Sequence, residues 1–149
     1  MINNRTFDES LYPMSWRFNS DDCHLSDEDK KHIVFLSEHE SERLWDLVLP
    51  FNILMRMNKT DVTIIDKMEL DFDDVDESKV FFQSRLSGVS NLFFFWGRRA
   101  AALVSTSVVI KSWGDFFYPS DESSIIFVPN TKKIIFSYEE MFFYGELTV

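Results

Sequence analysis

The sequence predicts an α+β fold, with N-terminal helices packed on a mainly antiparallel sheet supplied by the C-terminal half. Three observations lead there. Two helix-capping signals precede residue 50, at Ser26 and Ser37. Two hairpin patterns follow residue 90, centred on Gly97-Arg98-Arg99 and Pro129-Asn130-Thr131-Lys132. Sixteen of the 24 aromatic residues lie beyond residue 80, so the second half should supply most of the core. Helices first and antiparallel strands later is the order of an α+β chain.

Residues 11–18, LYPMSWRF, read as an extended lead-in. Ser26-Asp27-Glu28-Asp29 places an N-cap hydroxyl and first-turn acids before Lys30-Lys31-His32-Ile33, predicting a short helix there. Ser37-Glu38-His39-Glu40 forms a capping box, since the serine can accept from the third amide on and Glu40 can reach back. With Leu44, Trp45, Leu47 and Val48 as an apolar stripe, it predicts a helix over 38–49, ended by Pro50. The following PFNILMRMN fits a helical turn or a strand. Val62 to Leu70 alternates weakly, as a strand does. A helix then opens among Asp73, Asp74 and Asp76 and runs to Leu86 or Ser87, with Gly88 as its stop. Val75, Lys79, Phe82 and Leu86 share one face of it, flanked by Phe81 and Arg85.

Beyond residue 90 the pattern becomes strands. Leu92–Trp96 and Ala100–Val104 flank the first hairpin loop, and Ile125–Val128 and Lys133–Tyr138 the second. Between them VVIKSWGDFF reads as a short helix capped by Ser105 or Ser107, or as a strand through Val108-Val109. Met141–Tyr144 is a last short strand or an edge segment. No repeat or Pro/Gly/Ser-rich linker divides the 149 residues, so one domain is expected. A chain of this size buries roughly 68–70% of its unfolded surface, enough for one core.

Charge is distributed unevenly. Of the net charge of −10, −7 falls within Asp61–Glu77, where eight carboxylates face Lys67 alone. Phosphate recognition needs clustered Lys and Arg, and the longest basic run is Arg98-Arg99, so neither nucleic acid nor an anionic membrane surface is an expected partner. The longest mostly apolar run, Ala100 to Ile110, is too short to span a bilayer. Cys23 alone cannot form an internal disulfide, and MINNRTFDES has no signal-peptide apolar region, so a cytoplasmic location is expected.

Residue types that carry chemistry occur here without the spacing that chemistry needs. His24, His32 and His39 lie near Cys23, Asp21 and Asp22, but in no zinc-ligand spacing. An EF-hand loop begun at Asp71 would put Asp76 at the glycine position and Phe82 at the bidentate glutamate; one begun at Asp74 puts Lys79 and Arg85 there. The aspartates beside Cys23 would raise a thiol pKa, and there is no nucleophile elbow or phosphate loop. No catalytic set, metal or other cofactor is therefore expected. Phe93-Phe94-Phe95-Trp96 and Phe142-Phe143-Tyr144 read as buried strands with both faces covered.

The segment Trp113-Gly114-Asp115-Phe116-Phe117-Tyr118-Pro119-Ser120-Asp121, the Phe/Ile-rich hairpin after it, and Tyr138-Glu139-Glu140-Met141-Phe142-Phe143-Tyr144-Gly145 are similar in style to small acidic bacterial immunity proteins. These are encoded beside contact-dependent or other polymorphic toxins, and the resemblance covers the last third of the chain. It implies a stoichiometric function, in which one cognate toxin domain is bound and blocked. Complementary charge would speed that encounter, with a basic toxin as the partner. The acids expected to meet it are Asp71, Asp73, Asp74, Asp76 and Glu77, with Asp121 and Glu122 as a second patch. The alternative is a small enzyme or ligand-binding protein with an aromatic-lined pocket among Trp96, Trp113, Tyr118 and Tyr138.

Overall fold

The computed structural model describes residues 7–52, 54, 57, 60–69, 75–118, 121 and 123–148. Among them seven strands form one antiparallel sheet in the order β1-β4-β3-β5-β6-β7-β2: β1 Ile33–Phe35, β2 Val62–Glu69, β3 Asn91–Gly97, β4 Ala100–Ser105, β5 Ile125–Phe127, β6 Lys133–Tyr138 and β7 Met141–Leu147. Among the described residues six α-helices accompany it: α1 Trp16–Asn19, α2 Asp27–Lys30, α3 Glu38–Val48, α4 Val75–Arg85, α5 Thr106–Lys111 and α6 Trp113–Phe116. This is an α+β fold, its sheet drawn mainly from the C-terminal half.

The local signals translate directly into geometry. Ser26 Oγ accepts from the Asp29 amide at 3.1 Å and opens α2. Both halves of the Ser37–Glu40 capping box form at the start of α3. Within α3 the buried side chains are Ser41 and Trp45, whereas Leu47, expected in the apolar stripe, is 81% exposed. The buried face of α4 runs through Ser78, Phe81, Phe82 and on to Leu86, with Lys79 half-buried at its border. Gly88 takes φ +79° just beyond that helix, a conformation that costs glycine little.

Three expectations are corrected. The 11–18 segment is helical, a 3₁₀ turn at Pro13–Ser15 running into α1, because Phe18 must turn inward to pack on Phe116 at 4.8 Å. Ile33–Phe35 is a strand, paired with β4 along Ile33↔Val104 to Phe35↔Ala102. The last strand extends to Leu147 and is internal, pairing with β6 on one side and β2 on the other.

Alternation along the strands sends side chains to two faces, and each face carries its own core. One core joins Phe94, Trp96, Ile126, Ile135 and Phe142 to α1, α4, α5 and α6 through Phe18, Phe82, Val109, Trp113 and Phe116. The other joins Phe95, Ile125, Ile134, Phe136 and Leu147 to α3 and the segment after it through Trp45, Phe51 and Leu54. Two buried indoles are satisfied by backbone: Trp45 Nε1 donates to the Phe51 carbonyl at 2.6 Å and Trp96 Nε1 to that of Phe116 at 2.9 Å.

Candidate functional site

The first part of the acidic stretch, through Glu69, lies at one margin of the sheet because β2 is a terminal strand. It pairs with β7 from Val62↔Leu147 to Glu69↔Met141, with a bulge between Ile64 and Asp66. Gly145 makes the close approach possible: a Cβ there would lie 2.7 Å from Val62 Cγ1 and 2.9 Å from the Thr63 carbonyl oxygen. The chain then returns as α4. Its C-terminal Arg85 forms an ion pair with Asp66 and lies over the Phe81 ring, 5.3 Å from its centroid. Phe81 stacks on Phe142 of β7, which fixes the helix against the sheet.

Glu69, Asp76 and Glu77 are exposed along this margin. Two further acids join them by topology. The β6–β7 turn is Glu139-Glu140, both exposed, and the flanking Tyr138↔Met141 pair lies directly beside Glu69 of β2. In the sequence Glu139 and Glu140 stand out only as part of the Tyr138–Gly145 segment. The usable signal was their place between two strand patterns, since a two-residue turn must point its side chains outward. Asp71, Asp73 and Asp74 lie outside the described residues, between β2 and α4.

The second predicted patch does not form a surface around Asp121. Arg17 donates to both of its carboxylate oxygens, at 2.9 and 2.6 Å, and to the Phe116 carbonyl at 3.0 Å. Asp121 also accepts from the Tyr118 amide at 2.9 Å and Ser124 Oγ at 2.6 Å. The Arg17 side chain is 5% exposed and that of Asp121 10%. The Tyr118 ring covers the guanidinium at 3.9 Å. Burial pushes the Asp121 carboxyl up, but the hydrogen bonds from Arg17, Ser124 and the Tyr118 amide outweigh it and hold the group below its ordinary value. This carboxylate joins the N-terminal segment to the chain after α6, and its oxygens face inward. Glu122 lies outside the described residues.

The predicted aromatic pocket is not assembled either. Trp96 of β3 and Trp113 of α6 are buried in one core, whereas Tyr138 packs against the core on the opposite face of the sheet. Trp113 instead borders a cleft of about 390 Å³ with His24, Lys79, Lys111, Ser112 and Asp115. Asp115, buried, accepts from the His24 amide at 3.0 Å and from the Ser112 hydroxyl, and lies 3.4 Å from His24 Nδ1. The Ser112 hydroxyl is thus taken up by the buried Asp115 carboxylate. Lys111 donates to Asp29 at 2.8 Å. The Cys23 thiol is raised, chiefly by burial, with the nearby Asp115 charge adding to it. That differs from the sequence argument, which assigned the effect to Asp21 and Asp22.

Arg98 and Arg99 are neutralised by α3. Arg98 forks onto Asp46 at 2.9 and 2.7 Å, and Arg99 Nε meets Glu42 at 2.7 Å. Among the described residues no group of three His, Cys, Asp or Glu side chains is placed to hold a metal ion, and no helix is long and apolar enough to cross a membrane. Comparison with protein-family models, with curated proteins and with solved structures found no match.

Proposed function

We propose that this protein binds a basic protein partner through its acidic sheet margin, and that the partner is a cognate toxin domain which it neutralises. The observation that supports this is the juxtaposition of Glu69 with the Glu139-Glu140 turn on one margin, with Asp76 and Glu77 exposed at the start of the helix that packs on β7. Asp71, Asp73 and Asp74 fall between Glu69 and Asp76 in the sequence. Acids collected in this way raise the local potential for a cationic partner and speed its approach. The same concentration makes a nucleic-acid ligand unfavourable.

The test is co-expression with the product of the adjacent upstream gene, followed by titration calorimetry at two salt concentrations. Binding should weaken with salt, and by tenfold or more when Asp71, Asp73, Asp74, Asp76 and Glu77 are all replaced by Lys. Tight binding that survives the replacement would remove those residues from the interface. A second reading, a small-ligand protein, rests on the cleft beside Trp113, where Lys79, Lys111, His24, Ser112 and Asp115 offer polar groups to a small molecule. Unchanged partner binding by Lys79→Ala/Lys111→Ala would separate the two.

A further inference from the structure

β2 is a terminal strand of eight residues, longer than most strands, and among the described residues its outer side pairs with nothing. The direction of its backbone groups follows from parity. In an antiparallel ladder alternate residues turn their N–H and C=O toward the partner. The Asp61 carbonyl accepts from the Thr148 amide at 3.0 Å, so Asp61 and Thr63 face β7 and Val62 and Ile64 face outward. On β7, the Leu147 amide donates to Lys132 at 2.7 Å, which turns 147, 145, 143 and 141 toward β6 and leaves 144 and 142 for β2. Their partners Asp66 and Met68 therefore face β7, and Lys67 and Glu69 face outward.

Two large apolar side chains stand at the middle of this strand, Ile64 at 43% and Ile65 at 51% exposure. Open amides beside exposed isoleucines make a template for another strand. A second copy of this chain would bring one acidic margin against another. A cationic segment is favoured instead: Arg85 meets the Asp66 charge, but Glu69 at the end of the strand and the exposed Asp76 and Glu77 that open α4 outnumber Lys67.

We propose that the outer side of β2 accepts an extended, Lys/Arg-bearing segment of a protein partner as an eighth strand. The inference rests on the acidic-margin reading above and adds to it the mode of binding. Main-chain hydrogen bonds from Val62, Ile64 and Glu69 set the register, while the Lys67 amide already donates to Asp66 Oδ1 at 2.8 Å. Ile64 and Ile65 are covered by the partner's apolar side chains, and its cations meet the carboxylates.

The probe is a capped octapeptide of alternating Lys and Val, compared with the same peptide carrying Pro at its central Val. Titration into the labelled full chain is followed by NMR amide exchange. The alternating peptide should slow exchange of the Val62 and Ile64 amides at least tenfold, and the Pro peptide should bind at least tenfold more weakly. Ile64→Pro in the protein removes an outward donor and no bond to β7, so it should abolish peptide binding with little change in thermal midpoint. If that variant unfolds, the exchange result on the unaltered chain still decides. Equal, salt-sensitive binding of both peptides would overturn strand addition while leaving the acidic margin intact. Binding of neither would also overturn it, the acidic margin then being judged by the charge-reversal titration. Protection of Val62 and Ile64 without peptide, in a dimer, would assign the edge to a second copy and overturn the proposal.

Discussion

Asp121 shows how a single side chain can change role between sequence and fold. Next to Glu122 in the sequence it reads as surface charge. In the structure it is held by Arg17, 104 residues away, and nothing local in the sequence announces that pairing. Removing one partner of a largely buried ion pair leaves the other charge uncompensated, which costs about 3–5 kcal/mol. Asp121→Asn should therefore lower the urea-unfolding free energy by about 3 kcal/mol, and Arg17→Met/Asp121→Leu together should recover much of that. The pH dependence follows from the depressed carboxyl. Its contribution is fully present above the ordinary carboxylate value of ~3.9 and is lost as pH falls through the lower folded value. Unfolding followed by circular dichroism between about pH 5 and pH 2 should show this loss, with a smaller dependence in the Arg17→Met/Asp121→Leu protein. Where the partner was close in sequence, reading the residue succeeded, as with Ser37 and Glu40.

Elements that carry their own boundary signals were legible: α2 and α3 by their caps, α4 by its glycine stop, and the two hairpins by their turns. Those fixed by distant pairing were not. β1 has three residues, too few for a period, and exists because Leu103 and its neighbours on β4 offer a ladder. β7 looked like an edge because its second neighbour, β2, lies more than 70 residues earlier. The β6–β7 turn is a case of an element formed against local preference. Glu139 and Glu140 adopt φ of 51° and 62°, which suits Asn-Gly far better than glutamate. Glu139→Asn/Glu140→Gly should raise stability by about 1 kcal/mol in urea titration, while reducing partner binding if the turn belongs to the acidic margin. Gly145→Ala should do the reverse to the β2–β7 ladder. With a Cβ 2.9 Å from backbone oxygen, the strands must separate, a crowding worth about 1–3 kcal/mol. Faster amide exchange at Thr63 would locate the damage.

At the scale of the molecule, the two-sided aromatic core was readable from composition and strand patterns, and the acidic margin only in part. The sequence marks where the acids are dense; the sheet order, which brings the Glu139-Glu140 turn alongside Glu69, is a product of long-range pairing. A net charge of −10 repels itself most strongly where it is concentrated. Raising salt from about 10 mM to about 0.2 M shortens the screening length from ~30 Å to below ~8 Å. The thermal midpoint should accordingly rise by roughly 2–4 °C, equivalent to about 1 kcal/mol; a fall would mean that exposed ion pairs such as Arg98–Asp46 dominate. The β2–β7 pairing also has a consequence during synthesis. Nearly 80 residues separate the end of β2 from the end of the strand that will hold it. At about 5–20 residues per second the ribosome needs roughly 4–16 s to deliver that strand. Throughout that interval the nascent chain displays Val62-Thr63-Ile64-Ile65, a β-prone stretch with no neighbour. Its bordering carboxylates then act as gatekeepers against aggregation, before any partner has been met.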